Sequence, residues 1–186
     1  MISNGFHFVV YNEEDITQEL DVKIRENLCA TFPHSAWYFK DYRGWNGAFP
    51  DWSLIGLDAS DNPIAHCGII ERDIRIEDQS YVIFGVQNVY VLESHRGKGL
   101  AKELMKRVEA EGVRRELDFG LLFARPRVAK LYLDLGWVEV KDAVLIVQSK
   151  GGKECQREFV HDILFFKGLR EEQIPPGTVY FNGPDW

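Results

Sequence analysis

Cysteine is scarce in this sequence. Its three residues, Cys29, Cys67 and Cys155, are widely spaced and odd in number, and no two form a CxxC pair. That pattern argues against a zinc site and against a disulfide framework, so no metal is expected and the thiols should be reduced, as in a cytoplasmic protein. Positive charge is also short. Lys and Arg number 22 against 29 Asp and Glu, which leaves a formal net charge of -7 at pH 7. A general nucleic-acid binder needs a basic footprint, so that class is excluded. The acidity suits a cationic small-molecule partner, and it equally suits plain solubility. Long apolar runs are missing. Stretches such as Val82 to Val86 are far too short to span a bilayer. Met1 to Gly5 has neither the basic nor the apolar region of a signal peptide, so neither membrane association nor secretion is expected. There is no internal repeat and no low-complexity linker. None of this fixes the oligomeric state, and a homodimer is compatible with it.

What is present is enough apolar material for a sizeable core: 186 residues, 45% hydrophobic and 27% charged, predicting one domain over 1–186. Phe6 to Tyr11 reads as a first strand. From Asp15 to Thr31, Ile16, Leu20, Ile24 and Leu28 recur every fourth residue, on one helical face. An aromatic stretch follows, Phe32 to Trp52, with Trp37, Tyr38, Phe39, Tyr42, Trp45, Phe49 and Trp52. It either walls a pocket or packs on the core. Strand patterns occupy Ser53 to Asp58, Pro63 to Ile76 and Tyr81 to Leu92, with turns at Asp61-Asn62 and Glu77-Asp78-Gln79-Ser80. Leu100, Ala101, Leu104, Met105 and Val108 predict an amphipathic helix over Gly99 to Val113. A strand at Phe119 to Ala124 precedes a helix from Pro126 to about Leu135, closed by Gly136. Trp137 to Val140, Val144 to Ser149 and Glu158 to Phe166 read as extended, with a turn at Lys150-Gly151-Gly152-Lys153. The segment from Lys167 to Trp186 reads as loop. The order predicts a mixed α/β layout with a helix-covered sheet.

One loop stands out chemically. The strand Val86 to Val91 feeds Arg96-Gly97-Lys98-Gly99 and then a helix. Glycines leave the backbone open to a ligand, and a helix start offers unpaired N–H groups with positive partial charge. With Arg96 and Lys98 added, phosphate is the natural ligand. Taken alone this is a generic anion site, and many basic glycine turns bind nothing. It is not a P-loop, because the GxxxxGK[ST] spacing is absent.

The loop matches the (Arg/Gln)-x-x-Gly-x-(Gly/Ala) signature of the GNAT acetyltransferase superfamily at Arg96, Gly99 and Ala101. Leu131-Tyr132 with Gly136-Trp137 matches a second signature of that superfamily, LYxxxGF. The sequence therefore resembles GNAT proteins, well over about Pro63 to Val140 and loosely in the flanks. Within the superfamily it is similar to aminoglycoside 2'-N-acetyltransferases, through Ile64-Ala65-His66, Arg127 to Tyr132, Gly136-Trp137 and an acidic residue near Trp186. It is also similar to nodulation N-acyltransferases, around His66 to Arg72, at Arg125-Pro126, and in Gly177-Thr178 and Asn182 to Asp185. Both families acylate amines of saccharides.

The resemblance implies a GNAT fold: a mixed, mostly antiparallel sheet whose central parallel strands splay apart, flanked by helices. It implies acetyl-CoA as cosubstrate. The pyrophosphate would lie on Arg96, Gly97, Lys98, Gly99, Leu100 and Ala101, and the pantetheine arm on the backbone of Val89, Tyr90 and Val91. One of those amides would polarise the thioester carbonyl. The amine would attack directly, with Tyr132 as general acid toward the leaving thiolate. No Cys or Ser nucleophile is required, and Cys67 is expected in the core. Gln87 stands where the aminoglycoside enzymes carry a carboxylate, and it cannot serve as a base. Substitutes are the Trp186 carboxylate, Asp185, His66, His161 and Asp162, although His66 also reads as a satisfied buried residue. Arg125 replaces an Asn common in the superfamily, and either reaches a CoA phosphate or lies on the surface. Trp37, Asp41, Asp51 and Asp185 are acceptor-wall candidates. The expected activity is acetylation of a primary amine, of an aminoglycoside or another aminosugar. The alternatives are a longer acyl chain or a peptide amine as substrate, and a CoA-binding sensor without turnover.

Overall fold

The protein is described by a computed structural model covering residues 5–45, 47–141, 145–150, 153–157 and 161–186. After β1 (Phe6–Asn12) and a 3-10 turn at Glu13–Asp15, helix α1 runs over Gln18–Thr31. It starts later than its apolar spacing suggests. Thr17 is extended and its hydroxyl accepts the Leu20 N–H at 3.3 Å, which caps the helix there. Helix α2 is a single turn, Ala36–Phe39.

The strands β2 (Trp52–Asp58), β3 (Pro63–Ile76) and β4 (Gln79–Val91) continue the antiparallel run from β1. The β3–β4 turn is tighter than expected. Ile76 pairs with Gln79, so Glu77 and Asp78 alone make the bend, with Glu77 at φ 48°. Helix α3 (Leu100–Arg114) then crosses to β5 (Phe119–Ala124), which pairs parallel to β4. The helix expected from Pro126 is a 3-10 turn, Pro126–Val128, followed by the short α4 (Ala129–Leu133). The chain continues through β6 (Val138–Glu139), β7 (Ile146–Lys150), β8 (Lys153–Gln156) and β9 (Ile163–Gly168). Expected strand residues Val144 and Glu158 to Val160, and the turn residues Gly151-Gly152, lie outside the described residues.

The last segment is not all loop. Val179–Tyr180 forms β10, antiparallel to the far end of β3 and parallel to β7. Two residues carry no readable periodicity, so only the sheet edge reveals this strand. All ten strands join one mixed, mostly antiparallel sheet.

Alternation along β2 assigns the faces. Trp52 and Leu54 pack with Phe84, Val86 and the α3 residues Leu104, Met105 and Val108, and Tyr132 of α4 joins them. Ile55 and Leu57 point the other way, against Ile24 and Leu28 of α1 and Phe39 of α2. Farther along the sheet a second cluster joins Ile70, Ile83 and Leu121 to Phe181 and Trp186 of the final segment. No helix of the described residues is long and apolar enough to cross a membrane.

Candidate active site

The parallel pairing of β4 with β5 stops midway. It runs from Ile83↔Phe119 to Val86↔Leu122 and goes no further. Beyond it, β4 stays with β3 up to Ala65↔Val91, while β5 stays with β9 up to Ala124↔Ile163. The two strands therefore part after Val86, and β4 residues 87–91 lose their neighbour on that side.

A β-bulge sits at the parting. The β3–β4 register shifts between His66 and Gly68, and Asn88 takes φ 55°. Asparagine tolerates this left-handed conformation better than other non-glycine residues. The extra residue reverses the strand's alternation. Phe84 and Val86 face α3, and so do Val89 and Val91, while Tyr90 turns toward α1 and α2. His66, fully buried, fixes the bulge from β3. Its Nδ1 lies 3.0 Å from the Asn88 carbonyl and its Nε2 lies 3.3 Å from Ser53 Oγ. A carbonyl only accepts, so Nδ1 carries the proton and Nε2 accepts from the serine hydroxyl. Burial pushes the ring's pKa down to about 3. It is a neutral structural group, and nothing in its contacts leaves a nitrogen for base catalysis.

Gln87 is occupied as well. Its Nε2 donates to the Ala48 carbonyl at 2.9 Å, and its Oε1 accepts from the Trp45 N–H at 3.0 Å. Asn88 Nδ2 donates to the Arg43 carbonyl. Buried Arg43 itself bonds Glu13 and, through Nε, Asp21 at 2.6 Å. These contacts pin the aromatic segment to the bulge. Neither Arg43 nor Asn88 was singled out in the sequence. The available signal was two adjacent polar residues, Gln87-Asn88, interrupting an apolar strand.

The glycine loop lies at the end of the same strand. Arg96 through Gly99 are exposed, and Arg96 Nε donates to the Val91 carbonyl at 3.1 Å. Gly97 and Gly99 have φ 76° and 78°, and a Cβ at either would meet only open space. Their conformation requires glycine, and their surroundings leave room for a ligand. Gly99 precedes α3 with no side-chain cap, and the first intrahelical bond is Glu103 N–H to the Gly99 carbonyl. The N–H groups of Leu100, Ala101 and Lys102 thus have no partner within the helix. Together these groups fit a phosphate-bearing ligand.

Tyr132 packs on the α3 side of the sheet, with its ring 5.7 Å from Phe165 and 6.2 Å from Trp137. Burial raises its pKa, and the Cys67 thiol adds to the rise, so the phenol stays protonated at neutral pH. Cys67 is fully buried in the core.

The acceptor-wall residues scatter. Trp37 is 74% exposed, and Asp41 is exposed. The Asp51 carboxylate accepts the Glu71 N–H at 2.7 Å, and Asp185 pairs with Arg157 at 2.8 Å, so both are already engaged. Asp162 pairs with Arg157 and with Arg125, each at 3.3 Å, which holds Arg125 beside β9; His161 is exposed. The Trp186 ring is buried on the α1–α2 side of the sheet, stacked 4.7 Å from Phe181 and lying over Gly85. Gly85 and Gln87 are alternate residues of β4, so Trp186 and the Gln87-bound aromatic segment are neighbours on one face.

Residues 54–139 match the family model described as acetyltransferase (GNAT) domain. That span runs from β2 to β6 and holds the bulge, the loop and Tyr132. An aminoglycoside 2'-N-acetyltransferase of Mycolicibacterium fortuitum is 31% identical over 88 residues, 47% of this chain and 45% of that protein. The match thus spans about half the length of the curated relative. Among solved structures, the GNAT family N-acetyltransferase YhbS of Escherichia coli, in complex with CoA, is similar with a TM-score of 0.63 at 14% identity, over 97% of this chain and 93% of that one. Escherichia coli ElaA gives 0.60 at 17%, over 87% and 99%. Arabidopsis thaliana NAA60 in complex with acetyl-CoA gives 0.58 at 13%, over 88% and 100%. At these identities the likeness is one of fold, and the fold is that of the GNAT superfamily.

Proposed function

We propose, from a GNAT fold and a GNAT match over residues 54–139, that the protein is an acetyl-CoA-dependent N-acetyltransferase acting on a primary amine. One observation carries this reading. The strand that parts from its parallel neighbour after Val86 is the strand that leads into the open glycine loop and the uncapped start of α3. A gap lined by backbone amides therefore adjoins an anion site, which matches a thioester joined through a long arm to a pyrophosphate.

Arg96, Gly97, Lys98, Gly99, Leu100 and Ala101 would hold the pyrophosphate, and the backbone of Val89, Tyr90 and Val91 the pantetheine arm. Acetyl-CoA supplies the activated acyl group. An amide beyond the bulge would stabilise charge on the thioester oxygen as the amine nitrogen attacks the carbonyl carbon. As the carbon–sulfur bond breaks, the protonated Tyr132 phenol would give its proton to the departing thiolate. Gln87 is an amide held by Trp45 and Ala48 and cannot take the amine's proton, which passes to solvent. We place the acceptor among aminosugars, including aminoglycosides, on the strength of the curated relative and of the exposed Trp37, Tyr42 and Phe49, whose faces suit a sugar ring.

The test is thiol release from acetyl-CoA against a panel of an aminoglycoside, simple aminosugars, a polyamine and a peptide amine. Turnover with the saccharide amines alone is the expected result. Turnover only with the peptide would move the acceptor, and CoA binding without thiol release for any amine would make the protein a sensor.

A further inference from the structure

We propose that His66 is a positioning residue that holds the β4 bulge, and so sets the direction in which the amides of Val89 and Val91 face the gap between β4 and β5. The proposal rests on the acyl-transfer reading for its effect on turnover, but its geometric part stands on the bulge itself. Asn88 is a non-glycine residue in left-handed conformation at the point where β4 leaves β5, and such a conformation persists only when its surroundings over-determine it. Two contacts do so. The Asn88 side chain donates to the Arg43 carbonyl, and the Asn88 carbonyl accepts the His66 Nδ1–H at 3.0 Å.

The ring is itself fixed on three sides. Ser53 Oγ lies 3.3 Å from Nε2, and Tyr90 stacks on the ring at 5.5 Å with 17° between the planes. Tyr90 in turn accepts from Asn27 Nδ2 at 3.2 Å, which also donates to the Pro63 carbonyl at 2.7 Å. The chain of contacts runs from α1 through Tyr90 and His66 to the bulge. Without the imidazole the Asn88 carbonyl loses its donor and only the side-chain bond to Arg43 remains, so the Asn88 peptide can turn and carry the Val89 amide with it. In a site that stabilises developing charge, a displacement of about 1 Å costs on the order of 100-fold in rate.

The experiment compares His66→Leu, which removes the donor, with His66→Asn, whose Nδ2 can take the place of the imidazole Nδ1. Under the proposal, kcat for thiol release falls about 10- to 100-fold in His66→Leu with the Kd for CoA unchanged, and His66→Asn recovers most of it. Equal kcat in His66→Leu and wild type overturns the proposal, as does an equal loss of kcat and CoA affinity in both variants. If the wild type releases no thiol, the acyl-transfer reading has failed by itself. The bulge is then judged by hydrogen exchange at Tyr90 and Leu92, whose N–H groups pair with β3 just beyond it, and which must quicken in His66→Leu and not in His66→Asn. One measurement needs no variant: the ring 15N shifts of the wild type must show the Nδ1-protonated neutral tautomer at pH 7, and the Nε2-protonated form would overturn the proposal.

Discussion

A phenol in the core and an imidazole in the core do opposite things to the pH behaviour of this protein. Tyr132 stays protonated because burial raises its pKa, which is the state the proposed acid role requires. Tyr132→Phe keeps the packing against Trp137 and Phe165. We expect kcat to fall about 100-fold or more with little change in CoA affinity, read by steady-state turnover beside calorimetric titration. Unchanged turnover would remove Tyr132 from the acid role. His66 has its pKa lowered by burial from 6.5 to about 3. Between those values the unfolded chain takes a proton that the folded chain refuses. Stability therefore falls as pH drops through 6.5 toward 3, by up to about 1.4 kcal/mol per pH unit from this group. Urea unfolding at pH 7, 6 and 5 should show the stability of wild type relative to His66→Asn declining as the pH is lowered. A constant difference would place the titration elsewhere. Of these two residues, the sequence exposed Tyr132 through its spacing to Gly136-Trp137. It left His66 ambiguous, because a histidine on a strand looks the same whether its nitrogens are free or bound.

At the scale of elements, the legible parts were those whose periodicity is long. Ile24 and Leu28 marked the buried face of α1, and Leu100, Leu104, Met105 and Val108 that of α3. The loop before α3 was legible because glycine and charge have local meanings. The bulge was not, since a register shift depends on what stands opposite on β3. For the same reason the role of Gln87 changed from an absent base to a fastener of the aromatic segment. The final segment shows a further dependence on neighbours. A Cβ on Gly85 would lie 2.5 Å from Trp186 Cζ2, so glycine at this point of β4 is what lets the indole lie on the sheet. We expect Gly85→Ala to expel the ring, with a red shift in tryptophan fluorescence and a loss of about 1–3 kcal/mol. Retention of the buried indole signal would mean that the sheet, not the indole, gives way.

At the scale of the whole molecule, the sheet is built from near and far partners. The meander from β1 to β4 pairs neighbours in sequence, while β9 reaches back to β5 and β10 reaches back to β3. Among the described residues, the β7–β8 hairpin joins the sheet through β10 alone. Val179 N–H donates to the Leu145 carbonyl and Phe181 N–H to the Val147 carbonyl, both at 2.8 Å. Val179→Pro removes the first bond and should loosen this region locally. We expect faster hydrogen exchange across 146–150 with protection kept in β1 to β4; faster exchange throughout would show that the hairpin is not a separable part. The same arrangement imposes a timetable on synthesis. The residues of β7 and β8 are synthesised before the strand that seats them, and at about 5–20 residues per second the interval is on the order of seconds. Until β10 follows, β7 keeps an open edge, and the pairing of Val179 and Tyr180 is what closes it.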